Sequence, residues 1–214
     1  MSAPTNNRVI SIYNSRCTVL KIMEAQGFVV DEHIGFSINE VDSMFKTSQL
    51  DMLLTTGAGD RKAYVKYKCD PKKAAAGIRP RDIEELVEDL YFAEGVLSKS
   101  DSLVVISEQE PIPSLVDKLR YMFDKDGIFV VVHNIKRLQF NILEHELVPP
   151  MEVLGASAAL EFMREHNVRD LSQLPEISRF DPQALAMGVR PGQICRFQRQ
   201  SVTSMDSIYY RACV

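Results

Sequence analysis

Residues 101–134, DSLVVISEQEPIPSLVDKLRYMFDKDGIFVVVHN, decide the fold of the longer, N-terminal part of the chain. LVVI at 103–106 and IFVVV at 128–132 are near-continuous apolar runs. Between them Leu115, Leu119 and Met122 recur at helical spacing, which predicts a helix beginning near Ser114. Strand, helix, strand, with both strands apolar throughout, is the pattern of a parallel pair covered on both faces. The element Pro111-Ile112-Pro113-Ser114 opens that helix. Its N–H groups suit an anion such as a backbone phosphate. Ser114 also suits the N-cap, with Asp117 completing a partial capping box, and on residue physics alone the cap is preferred.

Outward from this unit, KAYVKYKC alternates: Ala63, Val65, Tyr67 and Cys69 face one way, Lys62, Lys66 and Lys68 the other. That is a strand with one wet face. Residues 8–26 place Val9, Ile10, Tyr13, Cys17, Leu20 and Met23 on one stripe of a helix that Gly27 stops. Shorter helices are expected at 38–46 and, after Pro80, at about 82–94. The whole reads as an α/β domain over residues 1–142. NILEHELVPP at 141–150 breaks the pattern and suits a junction. Beyond it lie a helix at about 156–167, an extended SQLPEI, and DPQALAMG, where Asp181 caps, Pro182 starts and Gly188 ends a helix. Arg190-Pro191-Gly192-Gln193 fits a type II turn. Strands near 193–199 and 207–213 then close a small α+β domain, 143–214, with a β-hairpin.

The chain carries 25 basic and 29 acidic residues, a net charge of −4. Its last twenty-five residues hold four arginines against Asp206 alone, leaving 21 basic and 28 acidic residues upstream. Such a body is no general polyanion binder, so any nucleic-acid contact is local. Residues 61–81 hold eight Lys and Arg with Asp70 as their acid, which fits phosphate tracking and a solvated strand face equally well. Cys17, Cys69, Cys195 and Cys213 form no ligand spacing and read as reduced, buried or half-buried thiols. No apolar run reaches the roughly 18 residues of a membrane span, and MSAPTNNR lacks a signal-peptide core, which predicts an intracellular protein without a membrane partner. Gly57-Ala58-Gly59-Asp60-Arg61-Lys62 lacks the Gly-Lys-Ser/Thr of a P-loop and reads as a hairpin loop. Asp51 and a lysine-bearing strand suggest a restriction-type nuclease. The acid such a site needs two residues before the lysine is Tyr64 or Lys66, so metal-assisted cleavage is disfavoured. The four histidines are scattered, and His145 reads as a turn-fixing residue.

HELVP at 145–149, LPEI at 174–177, DPQALAMG at 181–188, RPGQI at 190–194 and the terminal RFQRQSVTSMDSIYYRACV come in an order that resembles the C-terminal module of the fifth subunit shared by eukaryotic nuclear RNA polymerases. That module is also similar to its archaeal polymerase counterpart, which lacks the N-terminal domain. A weaker likeness to the eukaryotic N-terminal domain extends upstream through CTVLKIMEAQGF at 17–28 and the IPS element at 112–114. The resemblance implies a nuclease-like but non-catalytic N-terminal jaw domain beside downstream double-stranded DNA, and a C-terminal domain docked on the largest polymerase subunit. It implies no cofactor and no catalytic or metal-binding residue. It places the chain in a nucleus, or in a viral or cytoplasmic transcription complex for a viral copy. Pro113 and Ser114 match the family's DNA-contact element, while Ile112 replaces its first hydroxyl. The assembly residues carried over are His145, Pro149, Asp181, Pro182, Arg196, Arg199, Ser201, Thr203, Tyr210 and Arg211. The chain departs from the family at Met151 for a histidine, Val202 for an acid, and Met205 for a turn glycine. One extra residue lies near Asp170–Ser172. A bulky Met205 disfavours a positive φ, which predicts a turn of altered shape.

Overall fold

The structure, a computed structural model, describes residues 3–70, 77–201 and 203–214. It divides into two compact units, Met1–Phe140 and Asn141–Val214. Each is an α+β unit built on one mixed sheet.

The first unit runs α1 (Ala3–Ala25), β1 (Phe28–Val29), α2 (Ile38–Lys46), β2 (Met52–Thr56), β3 (Lys62–Lys68), α3 (Pro80–Val87), β4 (Ser102–Ser107), α4 (Pro113–Asp126) and β5 (Phe129–Asn134). The strands lie in chain order; β1–β2 and β2–β3 pair antiparallel, β3–β4 and β4–β5 parallel. The expected α/β description thus holds for the parallel strands, while the antiparallel β1 and β2 make the sheet mixed. Every residue of β5, and every one of β4 after Ser102, is buried, as runs without alternation require. In β3, Ala63, Val65 and Tyr67 turn inward and the lysines lie at the surface.

Three local expectations need correction. In α1 the buried stripe runs through Val9, Ile12, Arg16, Val19 and Met23, whereas Ile10 and Cys17 are exposed. The true stripe is rotated from the one that hydropathy marks, because a charged residue, Arg16, occupies a core position. The helix after Pro80 ends as α at Val87 and continues as one π-helical stretch, Glu88–Ala93. Ser114 is not the N-cap of α4. The cap is Ile112, whose apolar side chain can accept no hydrogen bond, Pro113 takes the first helical position, and Ser114 follows it. Proline's fixed φ suits the first helical position and draws the cap two residues earlier.

The second unit contains β6 (Met151–Val153), α5 (Ala156–Glu165), β7 (Glu176–Ile177), α6 (Pro182–Met187), β8 (Ile194–Ser201) and β9 (Met205–Cys213). Its strand order is β6-β8-β9-β7, with β7 parallel to β9 and the other pairings antiparallel. Ile177, Ala184, Val189, Cys195, Phe197 and Cys213 form its core, with Met151, Val153, Met187 and Tyr209 packed against them. The punctuation of α6 is as the sequence has it: Asp181 accepts the Gln183 N–H at 2.9 Å and Gly188 is left-handed at φ 61°. Gln193 N–H donates to the Arg190 carbonyl at 3.2 Å and Gly192 has φ 86°, the geometry of the expected type II turn.

Met205, contrary to expectation, keeps a positive φ of 56°. Its side chain is 85% exposed, too far from the core for packing to offset the strain. A left-handed conformation costs an L-residue roughly 1–2 kcal/mol. Met205→Gly is therefore expected to stabilise the second unit by about 1 kcal/mol, seen as a higher denaturant midpoint at unchanged slope; no change would show that the conformation carries no strain. The neighbouring Val202 lies outside the described residues.

Candidate assembly surface and nucleic-acid contact

Strand alternation sorts the terminal arginines onto two faces. In the register Phe197 faces Tyr209, Cys195 faces Arg211 and Arg199 faces Ser207, so these share one face of the β8–β9 pair. There the Phe197 and Tyr209 rings stack at 4.9 Å and 8°. The guanidinium groups of Arg199 and Arg211 lie 5.9 and 5.8 Å from the Tyr209 ring centre. Two cations thus flank one aromatic ring that rests on a fully buried phenylalanine. Packing on Phe197 limits the motion of the ring, and each guanidinium gains a modest cation–π attraction from it, about 0.5–1 kcal/mol at an exposed site. Arg211 also donates from Nη1 to the Glu176 carbonyl at 3.3 Å, tying the group to β7.

The opposite face carries Arg196 directly across from Tyr210. Arg196 pairs with Glu152 of β6 at 3.1 Å, and Tyr210 packs on Phe162 of α5 with ring centres 4.0 Å apart. His166 stacks on Phe162 in turn at 4.4 Å. Tyr210 is therefore chiefly occupied inside its own unit. Ser201 and Thr203 bring their hydroxyls within 3.3 Å of each other at the far end of the pair. Asp181 and Pro182 are engaged in starting α6. Pro149 offers its carbonyl to Gln183 Nε2 at 2.7 Å, and His145 Nδ1 accepts the Leu147 N–H at 3.2 Å, the turn-fixing role read from sequence. That turn leaves Leu147 84% exposed. It stands at a cavity of about 640 Å³, whose walls include Pro149, Pro150, Gln198, Arg199 and Asp206. Leu147 carried no mark in the sequence, whereas Tyr209 was legible there as one of the donor-bearing residues of the terminal ribbon.

In the first unit, Ile112, Pro113 and Ser114 are all exposed at the start of α4. The N-cap side chain accepts no hydrogen bond, and Pro113 has no N–H to satisfy, so the first turn presents its positive end to solvent. Asp51, the one acid of the nuclease-like layout, is engaged elsewhere. It accepts Lys66 Nζ at 2.5 Å and the Tyr67 N–H at 3.1 Å. Lys68 lies 3.7 Å from Asp82, so the basic strand is partly neutralised, and Lys72 and Lys73 lie outside the described residues. Among the described residues no group of three or more His, Cys, Asp or Glu side chains is arranged to hold a metal ion.

The second unit thus joins a small mixed sheet, an Arg–Tyr–Arg face and a neighbouring cavity. The family model for the RNA polymerase Rpb5 C-terminal domain matches residues 140–213. The chain is 37% identical over 76 residues to DNA-directed RNA polymerase subunit Rpo5 of Thermococcus kodakarensis, covering 36% of this chain and 92% of that one. It is 44% identical over 80 residues to the Rpo5 subunit of Staphylothermus marinus, covering 37% and 87%. Against subunit RPABC1 of RNA polymerases I, II and III from Caenorhabditis elegans it is 26% identical over 212 residues, 95% of each chain. The chain belongs to the Rpb5/Rpo5 family of RNA polymerase subunits.

Proposed function

We propose that the chain is a non-catalytic subunit of a multisubunit DNA-directed RNA polymerase in a nuclear setting. Residues 143–214 act as its assembly domain and residues 1–142 as a jaw domain beside downstream DNA. One observation carries this reading: the compact unit Asn141–Val214 is nearly coextensive with whole archaeal Rpo5 chains, while the similarity to the worm subunit runs the full length. A unit that exists alone in one lineage and is joined to a second in another is an independent module with its own partner.

The partner surface is the exposed end of the β8–β9 hairpin with the Leu147 cavity. Leu147 supplies an apolar anchor, Arg199 and Arg211 supply cations, and acidic side chains of the largest subunit meet them at the rim. The N-terminal unit has a nuclease-like layout in which Lys66 occupies the acid that a metal would need. Its α4 start, Pro113 and Ser114, meets a phosphate of the duplex. This single contact is weak and local, as suits a chain of net charge −4.

The test is a tagged full-length chain expressed in cells and purified under mild salt. The largest polymerase subunit is expected to co-purify with it in equal amount, and Leu147→Asp is expected to lower that yield about tenfold or more. In the recovered complex, Ser114→Glu should weaken downstream-DNA retention without loss of subunits. A wild-type chain that never brings down the largest subunit would overturn the assembly reading; equal loss of DNA and subunits in Ser114→Glu would overturn the jaw assignment.

A further inference from the structure

The first unit contains a cavity of about 420 Å³ between α1 and the 33–41 segment, and Cys17 lies in its wall. Cys17 is exposed, whereas Cys69 is half-buried and Cys195 and Cys213 are buried. Much of its wall is apolar, with Leu20, Ile34, Phe36 and Val41, and a few polar groups are set into it. Arg16, Lys21 and His33 line it against one acid, Glu24. Arg16 is only 3% exposed, yet no carboxylate among the described residues pairs with it. One of its N–H groups reaches the Leu50 carbonyl at 3.0 Å, its guanidinium carbon lies 5.4 Å from the Phe36 ring centre, and its buried Nε has no acceptor. A buried guanidinium with a spare donor and no counter-ion makes the site favourable for negative charge. The Cys17 sulfur interacts electrostatically with this guanidinium, and the Tyr13 hydroxyl, one helical turn earlier, is near enough to donate to it.

We propose that this cavity is a thiol-exchange site, in which Cys17 forms a mixed disulfide with a small disulfide bearing carboxylates. The Cys17 thiolate attacks one sulfur of the incoming disulfide. A new S–S bond forms to Cys17 and the old one breaks, and the departing thiolate takes a proton from water. Cys17 is oxidised and half of the ligand is reduced, so no further oxidant is required. The carboxylates of the retained half lie among Arg16, Lys21 and His33. Burial pushes the other thiols up, Cys69 and Cys195 to about 12 and Cys213 to about 11, which keeps them protonated and poor nucleophiles.

The probes are oxidised glutathione, which is anionic, and cystamine, a cationic disulfide. Each is incubated at equal concentration with the full chain near neutral pH, and adducts are located by intact mass and peptide mapping. The expected result is one adduct, on Cys17, formed about tenfold faster with the anionic disulfide at low salt and less selectively at high salt. Cys17→Ser removes the adduct while circular dichroism is unchanged, because the side chain is exposed. Lys21→Glu reduces or reverses the preference for the anion. First modification at Cys69, the absence of an adduct on Cys17, or equal rates for the two disulfides at low salt would each overturn the proposal.

Discussion

A chain ending at Gly188 should keep a cooperatively folded N-terminal unit and fail completely to enter a polymerase. The truncation removes β8 and β9, and every pairing in the second sheet includes one of them. β6 and β7 are left with no strand beside them, and two- and three-residue strands have no stability of their own. The core loses Cys195, Phe197 and Cys213 together, and the Arg199–Tyr209–Arg211 face disappears with them. Removal of Phe197 alone is worth about 3–5 kcal/mol, a large share of what so small a unit can muster. The first unit draws its core from Ile12, Val65, Leu103, Val105 and Leu119, none of which the deletion touches. Far-ultraviolet circular dichroism of the truncated chain should therefore retain a thermal transition, while affinity purification recovers no polymerase. Normal incorporation of the truncated chain would show that the terminal strands are dispensable for docking.

The second large effect concerns acid. His133 is buried on β5, and burial, reinforced by the positive charge of Arg137, lowers its pKa from 6.5 to about 4. In the unfolded chain the same imidazole titrates near its ordinary value of about 6.5. Between those values the unfolded state binds a proton that the native state refuses, so stability rises with pH across that window. The contribution is fully present above pH 6.5, falls as the pH drops, and is lost below about 4. The difference amounts to about 3 kcal/mol for the first unit. Denaturant titrations from pH 7 to 4 should show this fall, and His133→Gln, which cannot ionise, should flatten it. If the variant loses stability along the same curve as the parent, His133 is not the responsible group.

The terminal strands and the strand that buries His133 were both marked in the sequence, though by different kinds of signal. Periodicity alone located β3, β4 and β5, because alternation and unbroken apolar runs reflect burial on one face or two. The ends of α6 and the turn at 190–193 were legible because Asp, Pro and Gly act on the backbone within a few residues. Family membership was legible too, from short motifs in fixed order that fall within the residues 140–213 matched by the family model.

What only the tertiary structure decided were properties that depend on residues distant in the chain. The inward face of α1 turned on a buried arginine, whose long side chain passes for a surface residue in any hydropathy pattern. Its displacement moved Cys17 from core to cavity wall. The left-handed Met205 defies local preference because the strands it joins hold it there. The terminal arginines looked like one basic cluster in sequence, yet cross-strand register sends Arg196 to Glu152 and gathers Arg199 and Arg211 about Tyr209. Local chemistry sets where elements begin and end. Which side chains meet is set by strand register and helix rotation, and those follow from packing across the whole unit.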